Sequence, residues 1–255
     1  MILSNVLLKK YVRAMPVTVF NKKEYLSILK IYHLYDSCSH SIFFFLDFIC
    51  LQESPESDYV FSDEYTCLGA TESHSGYVQL FVRNNMLNSC HNIKVLSSFA
   101  VCATVCLENS SNPACPESFG ISSIHLKPYP KNASGRLIQM DDIMHHFGAM
   151  PSLIIGDANM QDEDAILFLE KYQTRQIIDV HTRLNGARPY IWNLEINKYF
   201  KNAPPDKFNF DRIFTIGSCW DPVLCDVRTN IPVKGISGHF LSDHFALFSK
   251  INFSA

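Results

Sequence analysis

The sequence predicts an α/β fold in which strands and helices mix along the chain to build two layers of sheet, or a sheet with helices outside it. Three observations carry this. Short apolar runs recur, as at FFFLDFICL (43–51), SLII (152–155) and FALFSKI (245–251). Three segments read as helices, Glu24–Tyr35, Arg136–Phe147 and Asp162–Tyr172. No internal repeat, low-complexity tract or linker interrupts the pattern, so the 255 residues are expected to form one domain with a substantial core.

Val17–Asn21 has the composition of a strand ending in Asn. Glu24–Tyr35 spaces Leu26, Leu29, Tyr32 and Tyr35 as a helix would. After polar Ser37–His40, Phe43–Leu51 is expected to be a buried strand ending at Gln52-Glu53. Tyr65–Leu68 and the alternating Gly76–Arg83 are predicted strands, with a turn at Asn84-Asn85. Further strands are expected near Lys94–Leu107 and Ile121–Leu126, separated by the Ser/Asn/Pro-rich loop Glu108–Glu117. Pro128–Gly135 is another loop. The helix Arg136–Phe147 would bury Leu137, Met140, Ile143 and Met144, leaving Asp141-Asp142 and His145-His146 on its solvated side. Ser152–Ile155 shows no polar alternation, the pattern of a strand covered on both faces, and it stops at Gly156. Asp162–Tyr172 opens with acids that suit a helix dipole. Ile177–Val180 is short and apolar, and 185–207 reads as loop holding Trp192. Phe208–Ile216, Val223–Val227 and Phe245–Ile251 complete the expected strands.

A net charge of −3 provides no global field for nucleic acid or membrane, so a polyanion would need a local patch, with Lys127, Lys131 and Arg136 as candidates. The nine cysteines form no CxxC pair, and several sit in apolar runs, which points to a reducing compartment without a disulfide framework. The N-terminus lacks a secretory pattern, and Ile42–Leu51 is too short to span a bilayer and carries Asp47. A nuclear or cytoplasmic location is expected.

Five polar sites share one feature: each stands at the end of an apolar run or inside one. They are Glu53, His125, Asp157, Asp211 and the pair Asp243-His244, with Asn21 a sixth candidate. Asp157 and Asn159 lie two apart, so on extended chain a carboxylate and a carboxamide point the same way. Singly, each such residue has the ordinary reading of a strand-end or turn residue. Together they could converge on one rim of a sheet protein and form a site from distant segments. No Gly-rich phosphate loop and no GxSxG elbow is present. Several carboxylates with few thiolates suit a hard cation, Mg²⁺ or Mn²⁺, over zinc. With two histidines and amides beside them, they suit phosphate-ester hydrolysis.

The motifs LQE (51–53), IHL (124–126), GDAN (156–159), DRIF (211–214) and SDHFAL (242–247) occur in the order of the endonuclease/exonuclease/phosphatase superfamily, which this chain resembles. The resemblance implies a DNase I-like four-layer α/β sandwich and Mg²⁺-dependent phosphoesterase chemistry. Within the superfamily the chain looks most like the tyrosyl-DNA phosphodiesterase 2 family. That likeness rests on GDxNxxD at 156–162, a later Ile191-Trp192-Asn193, FDRIF at 210–214, Gly76-Tyr77, and His125-Leu126 followed by Arg136 and Gln139. It implies hydrolysis of a 5′-phosphotyrosyl bond at a DNA, or RNA, end during repair of topoisomerase II adducts, by a monomer. Carried over by position, Glu53, Asn21 and Asp243 would hold Mg²⁺, with Mn²⁺ able to substitute. Asp157 would activate water, Asn159 and His125 would contact the phosphate, and His244, fixed by Asp211, would stabilise the transition state. Trp192, Phe210 and Arg136 would bind the nucleic-acid end.

The chain departs from the pattern in four places. Val19-Phe20 stands where the family opens with Thr-Trp, segment 36–46 is Ser- and Phe-rich, Gln161 replaces an Arg, and Asn193 replaces an Asp. Other readings are a deadenylase, an apurinic endonuclease or a sphingomyelinase-like hydrolase of the same fold. A catalytically inactive module that binds nucleic-acid ends is a further one.

Overall fold

The computed structural model describes residues 25–28, 47–54, 63–107, 117–186, 190–196, 206–228, 244 and 246–253. One six-stranded sheet contains β1 (Tyr25–Ile28), β2 (Phe48–Ser54), β3 (Tyr65–Glu72), β4 (Tyr77–Arg83), β13 (Trp220–Arg228) and β14 (Ala246–Phe253), in the order β13-β14-β1-β2-β4-β3. The other contains β5 (Cys90–Leu96), β6 (Ala100–Cys106), β7 (Ser118–His125), β8 (Ser152–Asp157), β9 (Ile177–Asp179) and β12 (Asp211–Ile216), in the order β5-β6-β7-β8-β12-β9. A two-stranded ribbon pairs β10 (Trp192–Asn193) with β11 (Lys207–Phe208). Among the described residues the α-helices are α1 (Ala133–Phe147), α2 (Asp162–Lys171) and α3 (Val180–Asn185).

Side-chain alternation explains how these elements stack. Along β6, Val101, Ala103 and Val105 join Phe48, Cys50, Leu80 and Val82 in a core between the two sheets. The intervening Ala100 and Cys102 join Met140, Ile143, Met144 and Phe168 in a second core beneath α1 and α2. Strand β8 divides the same way, with Leu153 and Ile155 inward and Ile154 toward the helices. Burial on both faces is why this strand reads as a continuous apolar run. The fold is thus an α/β sandwich of two packed mixed sheets with α1 and α2 covering the outer face of one of them.

Several elements differ from the sequence expectation. Tyr25–Ile28 forms a strand, antiparallel to β14 and parallel to β2, where helical spacing suggests a helix. Over four residues the helical and extended periods are hard to separate, and two neighbouring strands decide the outcome. The expected single strand across 94–107 is the hairpin β5–β6, turned at Ser97 with φ 49°. Asn84–Ser89 is a 3₁₀ helix rather than a two-residue turn. Ile177–Val180 ends after three strand residues, because the Asp179 carboxylate accepts from the Thr182 N–H at 3.3 Å and starts α3. Phe208–Ile216 divides into β11 and β12. The expected strand at 17–21 and the loop 108–116 lie outside the described residues. The seven described cysteines are free thiols.

Asp47 enters β2 almost fully buried, and its Oδ2 has no hydrogen-bond partner among the described residues. Burial pushes its carboxyl up from 3.8 to about 8, with Arg83 opposing part of the shift. The folded chain therefore keeps a proton that the unfolded chain releases near 3.8, so this group favours folding at acidic pH, and its contribution falls as pH rises toward 8. In urea unfolding at pH 8, Asp47→Asn should be more stable than the parent by about 1–3 kcal/mol, with the difference shrinking toward pH 4.

Candidate active site

Three strands of the helix-covered sheet bring three expected residues into one row. In the parallel pair β7–β8, His125 lies opposite Asp157, and in the antiparallel pair β8–β12, Asp157 lies opposite Asp211. Residues paired across neighbouring strands project to the same face, so the row is fixed by strand register. His125, Asp157 and Asp211 are all buried.

The other sheet supplies Glu53. It sits at the irregular end of β2, where the pairing with β4 shifts between Leu51 and Ser54, and its φ is 56°. This unusual backbone turns the side chain out of the ladder. Its Oε1 accepts from the Ser75 hydroxyl at 2.5 Å and lies 3.9 Å from His125 Nε2. Gly76, with φ 150°, allows that approach, because an added Cβ would stand 2.8 Å from the Glu53 carbonyl carbon. Next to Glu53, Gln52 spans the sandwich and donates to the Ser123 hydroxyl at 3.0 Å.

Asp157 lies between two imidazoles. Its Oδ2 is 3.6 Å from His125 Nε2 and 3.9 Å from His244 Nε2, while its Oδ1 accepts the Asn159 N–H at 2.8 Å. Asn159 adopts φ 48° and donates its amide to the Leu126 carbonyl at 3.0 Å. His244 Nδ1 bonds to Asp211 Oδ2 at 2.7 Å, a carboxylate orienting an imidazole. The backbone at His244 bridges to Trp192. From there an aromatic strip leads away. Phe210 lies 6.3 Å from the His244 ring and stacks on Phe208 at 4.8 Å, and Trp192 is 5.5 Å from Phe208.

The structure therefore gathers Glu53, His125, Asp157, Asn159, Asp211 and His244, with Trp192 and Phe210 beside them. Asn21 and Asp243 lie outside the described residues. Arg136 is elsewhere: it is buried, ion-paired with Asp164, and donates to the carbonyls of Lys127 and Tyr129 at 3.1 and 2.7 Å. Its expected role at the nucleic-acid end is corrected to an internal brace, since a guanidinium with these partners is not turned toward a ligand. Arg212 braces the same region by donating to the Met160 carbonyl, Asp162 and Asp179.

One member of the cluster was missed. His74 stacks against His125 with ring centroids 4.3 Å apart, and ligand atoms of Glu53, His74 and His125 all lie within 4.8 Å of one another. Partial burial lowers its pKa from the ordinary histidine value. It follows β3 just as the expected residues follow their strands, but Thr71-Glu72-Ser73 offers no apolar run to mark the end.

No family model matches the sequence, and no curated protein matches it either. Solved structures do match. D. rerio TDP2 complexed with single-strand DNA product superposes with TM-score 0.59 at 14% identity, over 74% of this chain and 77% of that one. The human nocturnin catalytic domain with bound sulfate gives 0.56 at 16%, over 82% and 81%. An endonuclease/exonuclease/phosphatase protein from Bacteroides vulgatus gives 0.51 at 14%, over 75% and 77%. This chain has the endonuclease/exonuclease/phosphatase fold. The DNase I-like sandwich implied by LQE, GDAN and SDHFAL is the architecture observed, and TDP2 structures are among those that share it.

The joint between the sheets is testable. Gly156 has φ 135°, and an added Cβ would stand 2.3 Å from the Ile124 carbonyl oxygen and 2.7 Å from the Gln52 amide nitrogen. Gly156→Ala should cost roughly 2–5 kcal/mol in urea unfolding, combining backbone strain with overpacking. Gly148→Ala, with φ 56° but open space around it, should cost less.

Proposed function

We propose that this chain is a metal-dependent phosphodiesterase that hydrolyses the 5′-phosphotyrosyl bond at a DNA end and leaves a 5′ phosphate. The observation that carries the proposal is Asp157 between His125 and His244, with Asp211 on the far nitrogen of His244 and Glu53 across the cleft. A carboxylate between two imidazoles can accept a proton from water while donors on either side meet the charge that develops on phosphate.

The contacts support a role for each residue. Asp157 Oδ2 orients and deprotonates water, because Oδ1 is engaged by the Asn159 N–H. The Asn159 amide, held on the Leu126 carbonyl, would contact the phosphate, a role assigned by resemblance. In its imidazolium form His244 donates Nδ1–H to Asp211 and offers Nε2–H to a phosphate oxygen, and His125, whose Nδ1 meets the Ser73 hydroxyl, would offer Nε2–H from the opposite side. The described carboxylate oxygens suit a hard divalent cation. Glu53 would hold Mg²⁺ or Mn²⁺, with Asn21 and Asp243 assigned by resemblance alone, and the ion when bound would neutralise phosphate charge.

The aromatic strip supports a nucleic-acid end as substrate. Trp192, Phe208 and Phe210 offer partly exposed faces on which bases stack without sequence readout. The likeness to a TDP2 structure holding single-strand DNA product favours the same kind of ligand. The reading places the protein in repair of topoisomerase II adducts, in the nucleus or cytoplasm, as a monomer.

A 5′-phosphotyrosyl oligonucleotide incubated with protein and Mg²⁺ should lose tyrosine and retain a 5′ phosphate. EDTA should stop this, and Asp157→Asn should lower kcat by at least about a hundredfold, on the scale of general-base removal. Trp192→Ala should raise KM more than it lowers kcat, since stacking contributes about 1–3 kcal/mol per base. Cleavage only of poly(A), abasic DNA or sphingomyelin would replace the substrate assignment. End binding with no cleavage of any of them would make the chain a binding module.

A further inference from the structure

We infer that Tyr129, set between Lys127 and Lys131 on the loop that follows His125, is a second stacking platform for single-stranded nucleic acid, at the opposite end of the site from Trp192 and Phe210. The inference rests on the proposed reading of the cleft as a site for nucleic-acid ends and adds a second place where the strand is held. Its position comes from the sheet. His125 and Asp211 stand at the two ends of the row centred on Asp157, about 10 Å apart at the usual strand spacing. Phe210, beside Asp211, starts the strip that runs to Phe208 and Trp192. Leu126, beside His125, leads into the loop 127–132. The Leu126 N–H donates to the Asp157 carbonyl at 2.9 Å and its carbonyl accepts from the Asn159 amide at 3.0 Å, so the loop leaves from the rim itself. Three residues span at most about 10 Å, which keeps Tyr129 close to that rim.

The backbone of this loop is fixed while the ring is left in solvent. Tyr129 has φ 72° and ψ 142°, close to a region nearly reserved for glycine, because the Cβ of any other residue is crowded there. The extended ψ is the one that Pro130 imposes on the residue before it. Hydrogen bonds to three successive carbonyls hold the strained turn. Arg136 Nη1 donates to Lys127 and Tyr129 at 3.1 and 2.7 Å, the Asn132 amide donates to Pro128 at 2.6 Å, and the Asn132 N–H donates to Tyr129 at 3.0 Å. Arg136 is itself buried and paired with Asp164, so it acts here as a positioning residue, through the loop. Tyr129 nevertheless is 68% exposed. Strain held around an exposed aromatic ring is the pattern of a binding surface, since no core packing is gained from it.

Charge around the ring selects the ligand. From Lys127 to Met140 the chain has no Asp or Glu, and Lys127 and Lys131 are exposed. The Lys131 ammonium stands 6.0 Å from the centre of the Tyr129 ring. An aromatic face with a lysine on either side in sequence matches a chain of bases joined by phosphates. Any base can stack on the ring, and the lysines meet the backbone as point charges. In a protein of net charge −3, a polyanion is held only by such a local patch.

A 3′-fluorescein-labelled single-stranded oligonucleotide with a plain 5′ phosphate, titrated with the intact protein in EDTA, tests this by anisotropy without any cleavage. Tyr129→Ala should weaken binding about five- to 150-fold, the scale of one stacked base, and Tyr129→Phe should keep it within about twofold. Lys131→Ala should weaken binding and lower the slope of log affinity against log salt by about 0.7. Tyr129→Gly separates binding from folding: its thermal midpoint should equal or exceed that of the wild type, because the strain is relieved, while its affinity falls as in the alanine variant. Unchanged affinity in Tyr129→Ala or Tyr129→Gly, no binding by the wild type, or a loss seen with a tyrosyl peptide and not with the oligonucleotide would each overturn the inference. A protein that cleaves the phosphotyrosyl substrate with the same KM before and after Tyr129→Ala refutes this platform alone. One that binds the oligonucleotide through Tyr129 and cleaves nothing refutes only the proposed reaction.

Discussion

The candidate site depends on how closely the two sheets approach at Gly156. The Gln52 side chain crosses from β2 to donate to Ser123 on β7, and Gly156 leaves room for its amide beside the Ile124 carbonyl. This contact sets the height of Glu53 relative to the row His125–Asp157–Asp211, which belongs to the other sheet. Were the sheets an ångström further apart, Glu53 would leave His125 and the cleft would lose the carboxylate facing that row. The cost of the contact is visible in the Gln52 Oε1, which is buried without a hydrogen-bond partner among the described residues.

Around this joint, much of the polar interior braces the site instead of entering it. Arg136 pairs with Asp164, and Arg212 reaches the Met160 carbonyl, Asp162 and Asp179. Both guanidiniums are buried and tie down the segment that follows β8, where Asn159 takes a left-handed backbone conformation. Removing one member of such a buried pair leaves an uncompensated charge and destabilises the fold, even where the intact pair contributes little net stability. The Asp162 of the GDxNxxD spacing belongs to this bracing: its carboxylate meets Arg212 while Asp157, five residues earlier, faces the cleft.

The sequence made the helix-covered sheet and its row of residues legible for a physical reason. A strand buried on both faces is a continuous apolar run, so Ser152–Ile155 marks its own end, and the polar residues beyond it mark the rim. His125 follows the same rule, whereas Asp211 stands inside its run, at the start of β12. His74 escaped it because β3 is only partly buried and runs into polar residues before its end. Arg136 misled because position in a family pattern says nothing about which way a guanidinium turns, and Asp164 on the next helix claimed it. Tyr25–Ile28 misled because four residues fit either period, and its place between β14 and β2 is a long-range fact. The aromatic strip was half visible: Trp192 and Phe210 stand out singly, but their approach requires the ribbon β10–β11 to pair.

The central claim is that one carboxylate, Asp157, lies between two imidazoles delivered by separate segments. Imidazole ¹⁵N NMR of the folded protein tests it without any substrate or metal. On Asp157→Asn the ring signals of both His125 and His244 should move together, while those of His145 on the solvated side of α1 stay in place. If only one of the two rings responds, or neither does, the site described here is not assembled.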